Sequence, residues 1–283
     1  MLQKILVPTD FSKYSQNILE CISELPSERD VVLLHVIRRS TVSRVWDPVA
    51  EVEKAKKMIE EQKLYLQSLR FNVKTRVEAI LDGDIARTIE KVADEEKASL
   101  IMMGARGRGR VSGLFLGNVS RNVLLYGHIN LLIMRYKTLE GEKLGQFCQS
   151  LFTNVVCPTD FSDESKKAIN FAKDFKGIGQ IGLQYVVASG ESDENIDAEV
   201  KDAAGKLNAI AREIERPDLK VKVHVQVGDA PQEIAKLAER EDASLIAMSS
   251  HGAGWLQQMV VGSTTYETAR IANRPVMVVR SEK

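Results

Sequence analysis

The residues in this chain best suited to chemistry are glycines, and they come in two matched sets. Gly104, Gly107, Gly117 and Asn118 form the pattern Gly-x2-Gly-x9-Gly-Asn; 145 residues on, Ser249, Gly252, Gly262 and Ser263 repeat it as Ser-x2-Gly-x9-Gly-Ser. Each set follows an apolar run, Ser99–Met103 or Ser244–Met248, that reads as a buried strand. Each ends where a helix is expected to begin. Strand, glycine loop and helix start form a phosphate-holding arrangement: backbone N–H groups aim at the anion, and the helix dipole adds positive potential. Glycine at 107 and 117 removes side chains where backbone must approach a ligand or turn sharply. Asn118 and Ser263 stand where they either donate to a phosphate or cap the helix.

A second duplicated element lies upstream. Pro8-Thr9-Asp10 recurs as Pro158-Thr159-Asp160, within the longer match of Lys4–Ser12 to Asn154–Ser162 at an offset of 150. Proline ends strand pairing, and Thr and Asp then face the end of the sheet. Two readings stand side by side: these residues bind a ligand, or Asp10 or Ser12 caps the following helix. The loops differ in charge. The first carries Arg106, Arg108 and Arg110; the second has His251 and neither Arg nor Lys. Arginine alternating with glycine also fits an RNA-binding patch, but no aromatic residues are interleaved, so a phosphate clamp or a solvated loop is the better reading.

Other chemistries find little support. No Gly-Lys-Ser/Thr follows either glycine loop, and no Gly-x-Gly-x-x-Gly follows the first strand, which argues against classical kinases, GTPases and nicotinamide dehydrogenases. Of the four histidines, only His251 lies in a candidate site loop, and none stands with Cys or His at metal-ligand spacing. His35, at the end of the second strand, reads as a packed residue. The cysteines, Cys21, Cys148 and Cys157, form no Cys-x-x-Cys pair and read as reduced thiols. Lys+Arg and Asp+Glu balance at 39 each, which gives no support for nucleic-acid or membrane-surface partners. No stretch is apolar for the roughly 20 residues a bilayer span needs, and the N-terminus reads as a strand rather than a signal peptide.

The elements that must position these loops alternate strand and helix. In the first copy, strands are expected near 3–8, 31–37, 72–80, 99–103 and 130–135. Helices are expected to carry Ile18, Ile22 and Leu25, then Val52, Ala55, Ile59, Leu66 and Leu69, then Ile85, Ile89, Val92 and Ala93, with a last one over 118–127. Unbroken apolar strands imply a parallel sheet covered on both faces. Residues 83–135 match 228–280 without a gap, so the same order is expected again. The chain therefore reads as α/β: two Rossmann-like, doubly wound, parallel five-stranded sheets in tandem, with domains over 1–137 and 152–283 and a linker over 138–151. The stretch 38–48 is a long connection, read as a lid or a plain loop.

Together, Ile5–Ser12, Leu33-Leu-His-Val36 and the Gly-x2-Gly-x9-Gly motif resemble the universal stress protein family, in its tandem, ATP-binding form. The resemblance covers both halves. It implies an adenine nucleotide alpha hydrolase-like fold and an ATP or AMP ligand, with Mg accompanying the triphosphate. Val36 and Val186 would hold adenine through their backbone, Asp10 and Asp160 would face the nucleotide near the ribose, and the glycine loops would receive phosphates. Asn118 replaces the usual hydroxyl residue, and Ser249 replaces the first glycine. The implied protein is a cytoplasmic nucleotide binder of the stress or energy-state response with little or no hydrolysis, or else a slow ATPase or nucleotide-dependent transferase using the same crevice. Its halves would form an internal pseudo-dimer through their last strands, and the chain a further homodimer.

Overall fold

The structure, a computed structural model, describes residues 3–25, 30–39, 47–81, 83–105, 116–135, 151–175, 177–190, 192–252 and 261–280. The chain divides into two compact units, 1–134 and 135–283.

The first unit runs β1 (Lys4–Pro8), α1 (Lys13–Cys21), β2 (Asp30–Arg38), α2 (Pro48–Ser68), β3 (Asn72–Ile80), α3 (Ile85–Glu95), β4 (Leu100–Gly104), α4 (Asn118–Tyr126) and β5 (Asn130–Met134). Its sheet has the order β3-β2-β1-β4-β5, with every adjacent pair parallel. The second unit repeats this with β6 (Asn154–Pro158), α5 (Asp163–Lys173), β7 (Gln180–Val187), α6 (Asp193–Ile214), β8 (Lys220–Val227), α7 (Ala230–Arg240), β9 (Leu245–Ser249), α8 (Ser263–Ile271) and β10 (Val276–Val279). Its order is β8-β7-β6-β9-β10, again all parallel. Ile5, Leu6 and Val7 of β1 and Val155, Val156 and Cys157 of β6 are buried, as expected of strands covered on both faces.

Local chemistry sets the helix starts. Ser12 and Ser162 cap α1 and α5 by accepting from Ser15 N at 3.3 Å and Ser165 N at 3.2 Å. Asp47 caps α2, with Pro48 opening the helix. Gly83 and Gly228 sit at φ 133° and 151°, where an L side chain is strained, and the Asp after each caps α3 or α7. The first helix is shorter than its periodicity implies: it stops at Cys21, and a 3-10 turn over Ile22–Glu24 follows, yet Ile22 and Leu25 remain buried. Cys21 is disulfide-bonded, which corrects the expectation of three reduced thiols, and Cys157 is a free buried thiol. Burial pushes the Cys157 thiol up to about 12, so it stays neutral and unreactive. The expected linker falls largely on residues outside the described ones, as does most of the 38–48 connection.

Candidate functional site

Strand order reverses between β1 and β4 in the first unit, and between β6 and β9 in the second. At such a point the loops leaving the carboxyl ends of the strands part and open a crevice. Each unit has one, with a volume of about 600 Å3 in the first and about 400 Å3 in the second. Both lie within the usual range for small-molecule sites.

The structure gathers the sequence candidates into these two crevices. Pro8, Thr9, Asp10, Val36, Gly104, Gly117 and Asn118 line the first. Pro158, Thr159, Asp160, Val186, Ser249, His251, Gly252, Gly262 and Ser263 line the second. Arg106 and Gly107 lie outside the described residues, as do Arg108 and Arg110.

The Pro-Thr-Asp turn is built the same way twice. The Thr9 hydroxyl donates to Ser15 Oγ at 3.2 Å and accepts from Phe11 N at 3.1 Å, so it braces the turn. Thr159 sits 2.8 Å from Ser165 Oγ and accepts from Phe161 N at 3.0 Å. Serine, not aspartate, is the cap. Asp10 Oδ1 accepts from Ser12 N and Ser15 Oγ, both at 3.0 Å, and Asp160 Oδ1 from Ser162 N at 3.1 Å. These bonds hold each carboxylate at the mouth of its crevice. Phe11 and Phe161 take positive φ of 59° and 64°, costly for a bulky residue and kept where surroundings over-determine the backbone. Their rings pack on the next strand: the Phe11 centroid lies 4.3 Å from that of His35, the rings tilted by 33°, and Phe161 stacks on Tyr185 at 4.8 Å between centroids.

The glycine-loop ends also match, and they differ from expectation in two respects. Gly117 and Gly262 are themselves the N-cap residues, so Asn118 and Ser263 are the first helical residues and not caps. Both glycines have ordinary φ, −63° and −69°, so no left-handed turn explains them. Their own N–H groups are used, Gly117 N donating to Ala105 O at 2.8 Å and Gly262 N to Ser250 O at 2.7 Å. Neither helix has a side-chain cap, which leaves the donors of the first helical turn as the anion-facing groups. Ser120 Oγ donates to Gly104 O at 2.7 Å and Thr265 Oγ1 to Ser249 O at 2.8 Å, fastening helix start to strand end. Gly252 is close-packed: a Cβ there would overlap Asp160 Oδ2. Ser250 Oγ lies 2.9 Å from His251 Nδ1 and so orients the ring. Ser250 is 2% exposed and does not line the crevice, which suits a positioning role rather than that of a nucleophile.

Several lining residues escaped the sequence reading. His35 is packed, as expected, with Nδ1 2.7 Å from Thr9 O, but it also lines the first crevice. Its counterpart Tyr185 donates to Glu199 Oε1 at 2.7 Å; burial, then the Glu199 carboxylate, pushes the phenol up to about 12. Ile85 and Ile89 in one unit, and Ala230 and Ile234 in the other, bring the third helix of each repeat to the crevice wall. The duplication offsets could have found the pairs, but only the strand order shows that they face a cavity.

The fold defines a tandem α/β protein with a crevice at the strand-order reversal of each repeat. The chain belongs to the universal stress protein family, whose model matches residues 1–135 and again 151–280. A universal stress protein of Mycolicibacterium smegmatis is 28% identical, over 98% of this chain and 96% of its own length. Universal stress protein MJ0577 of Methanocaldococcus jannaschii is 30% identical, over 46% of this chain and 96% of its own. Among solved structures, a universal stress protein from Archaeoglobus fulgidus covers 99% of this chain and 97% of its own at a TM-score of 0.72 and 24% identity, a likeness of fold.

Proposed function

We propose that the protein binds an adenine nucleotide, ATP or AMP, in each half and acts as a cytoplasmic binding protein of the stress or energy-state response. The observation that carries this reading is the pair of uncapped helix starts. α4 and α8 begin at glycines, without side-chain caps, inside crevices whose other wall supplies Asp10 or Asp160 and the backbone of Val36 or Val186. Free first-turn N–H groups and a helix dipole suit phosphate. A carboxylate beside the phosphate path suits a ribose hydroxyl, or the magnesium ion that accompanies a triphosphate. Among the described residues no group of three or more His, Cys, Asp or Glu is placed to hold a metal. No helix among the described residues is long and apolar enough to cross a membrane.

Binding without turnover is the better-supported form of this proposal. Thr9, Asp10, Thr159 and Asp160 are engaged in bracing their turns, which supports a binding role for them. The test is thermal unfolding with and without millimolar ATP or AMP. A ligand at 100 times its dissociation constant stabilises by about 2.7 kcal/mol. Absence of any shift with either nucleotide overturns the proposal. Release of ADP in excess of protein would favour the ATPase or transferase alternative instead. A further homodimer belongs to the same proposal and is checked by light scattering of the full chain.

A further inference from the structure

The basic position of the glycine loop changes character between the repeats. At the offset that aligns residues 83–135 with 228–280, His251 stands where the first copy has Arg106. Arginine is always charged, whereas histidine changes charge between about pH 5 and 8. His251 lines the second crevice and is half-buried. The start of α8 lies against it. Gly262 N donates to Ser250 O at 2.7 Å, and a Cβ on Gly262 would lie 3.8 Å from His251 Cα. An anion held by the first-turn N–H groups of α8 therefore sits beside this residue.

Two hydroxyls hold the histidine. Ser249 Oγ donates to His251 O at 2.5 Å, and Ser250 Oγ lies 2.9 Å from Nδ1. A hydroxyl both donates and accepts, so the Ser250 contact suits a neutral and a protonated imidazole equally. The ring can change charge in place. Among the described residues lining this crevice, the other ionisable side chains are Asp160, on the turn after β6, and Tyr185, on β7. Asp160 Oδ2 faces Gly252, the residue after His251. Its charge and that of a phosphate both favour the protonated ring. The Tyr185 phenol, pushed up to about 12, stays neutral. From α7 and α8 come Ala230, Ile234, Ser263, Thr264 and Thr265, which carry no charge. Residues 253–260 lie outside the described ones and include no Asp, Glu, Lys, Arg or His.

We propose that His251 couples phosphate binding in the second crevice to uptake of a proton from solvent, so that this site fills more readily as pH falls. This rests on the adenine-nucleotide reading above and deepens it by assigning the site a form of regulation. The first crevice, with Arg106 at the matched position, lacks the coupling.

The experiment is calorimetric titration of the full chain with AMP at about pH 8.5 and about pH 6.5, either side of neutral histidine chemistry. Two buffers of unlike ionisation enthalpy make proton uptake readable directly. The Gly117→Val background leaves the second crevice as the reporting site. The AMP phosphate takes up its own proton near about pH 6. The reading is therefore the difference between the parent and His251→Gln, which cannot protonate. His251→Arg, which copies the first unit, holds its charge at both pH values. Circular dichroism checks that each variant is folded. From high to low pH, the affinity of the parent should rise up to about fivefold more than that of His251→Gln, the worth of one partly exposed charge contact. Proton uptake on binding should be larger in the parent than in either variant. Equal pH dependence and equal proton uptake in the parent and a folded, AMP-binding His251→Gln overturn the inference and leave the binding proposal standing. If the wild-type chain binds neither AMP nor ATP, both fall together.

Discussion

The two crevices share a backbone and differ in what projects from it. Both close the Pro-Thr-Asp turn with a Thr–Ser contact, both begin the last helix at a bare glycine, and both fasten that helix to the preceding strand through a hydroxyl. Around this common frame the first crevice has Leu34, His35, Ile85 and Gly104 where the second has Gln184, Tyr185, Ala230 and Ser249. The first is thus the more apolar, and the second the more hydrogen-bonded. The comparison teaches that the two repeats keep the same backbone frame and the hydroxyls that brace it, while the side chains along the crevice walls diverge.

The largest test of the shared frame is to block one crevice at a time. Gly117→Val and Gly262→Val place branched side chains at the helix start, where the phosphate path is expected. Each should abolish nucleotide-dependent stabilisation of its own unit, a loss of about 2.7 kcal/mol at 100 times the dissociation constant. Alanine separates close packing from blockage. A Cβ at Gly262 has ordinary contacts, 3.5 Å from Ser250 O, so Gly262→Ala should bind nearly as wild type. Gly252→Ala collides with the Asp160 carboxylate and should weaken the second site about tenfold or more. Equal behaviour of the two alanine variants in a titration would remove Asp160 from the site.

A smaller effect concerns charge. Arg106, Arg108 and Arg110 lie outside the described residues, so this expectation rests on sequence. A triphosphate gains more than a monophosphate from basic neighbours. At about 0.5–1 kcal/mol per partly exposed contact, two contacts shift the ATP-to-AMP preference of the first site roughly tenfold above that of the second. Equal ratios at low salt would end the charge comparison, since screening is weakest there.

Smaller again is the helix fastening. Ser120→Ala removes a part-buried hydrogen bond and Thr265→Val a buried one, each for about 1 kcal/mol of stability. Denaturant melts should show similar losses in both. A clearly unequal pair would mean that the two frames are not energetically alike.

The smallest expected effect is a pH dependence confined to the second unit. Arg76 on β3 and His224 on β8 occupy matched positions, in register with Leu34 and Gln184 respectively. Arg76 pairs with Glu78, Glu95 and Glu96 and stays charged. His224 Nε2 is buried without a partner, and burial pushes this imidazole below its ordinary value, with Glu241 opposing and Arg240 and Lys222 assisting. The folded protein therefore favours the neutral ring. That contribution is present above the unfolded value near 6.5 and is lost as pH falls towards the depressed folded value. Between pH 7.5 and 5.5 the melting temperature of wild type should fall slightly more than that of His224→Leu. An identical fall would mean that the ring titrates alike in folded and unfolded chains.

Much of this was legible in the chain itself. The duplication, the strand and helix order and most crevice residues followed from apolar periodicity and matched offsets. So did the near-equivalence of Pro8–Asp10 and Pro158–Asp160. Periodicity reports which face of an element is buried, and a repeat reports which residues share a position. Neither reports how a hydroxyl is used: Thr9 and Thr159 line their crevices while their oxygens also brace the turn. Periodicity does not separate donor from cap at Asn118 and Ser263, because it is blind to a one-residue shift in helix start.

The sequence by itself determined that there are two like units, that each carries a parallel sheet, and that a glycine loop follows the fourth strand of each, before a helix. Those are local and periodic properties, written in residue type and spacing. Only the tertiary structure decided that β1 and β4 are neighbours, which brings a turn and a loop nearly 100 residues apart to one crevice. It also decided that Gln184 ends with a buried, unmet acceptor, because that depends on Gln226 and the Glu233 carbonyl meeting it from two other elements. Hydrogen bonds between elements distant in sequence are set by packing, and packing leaves no period to read.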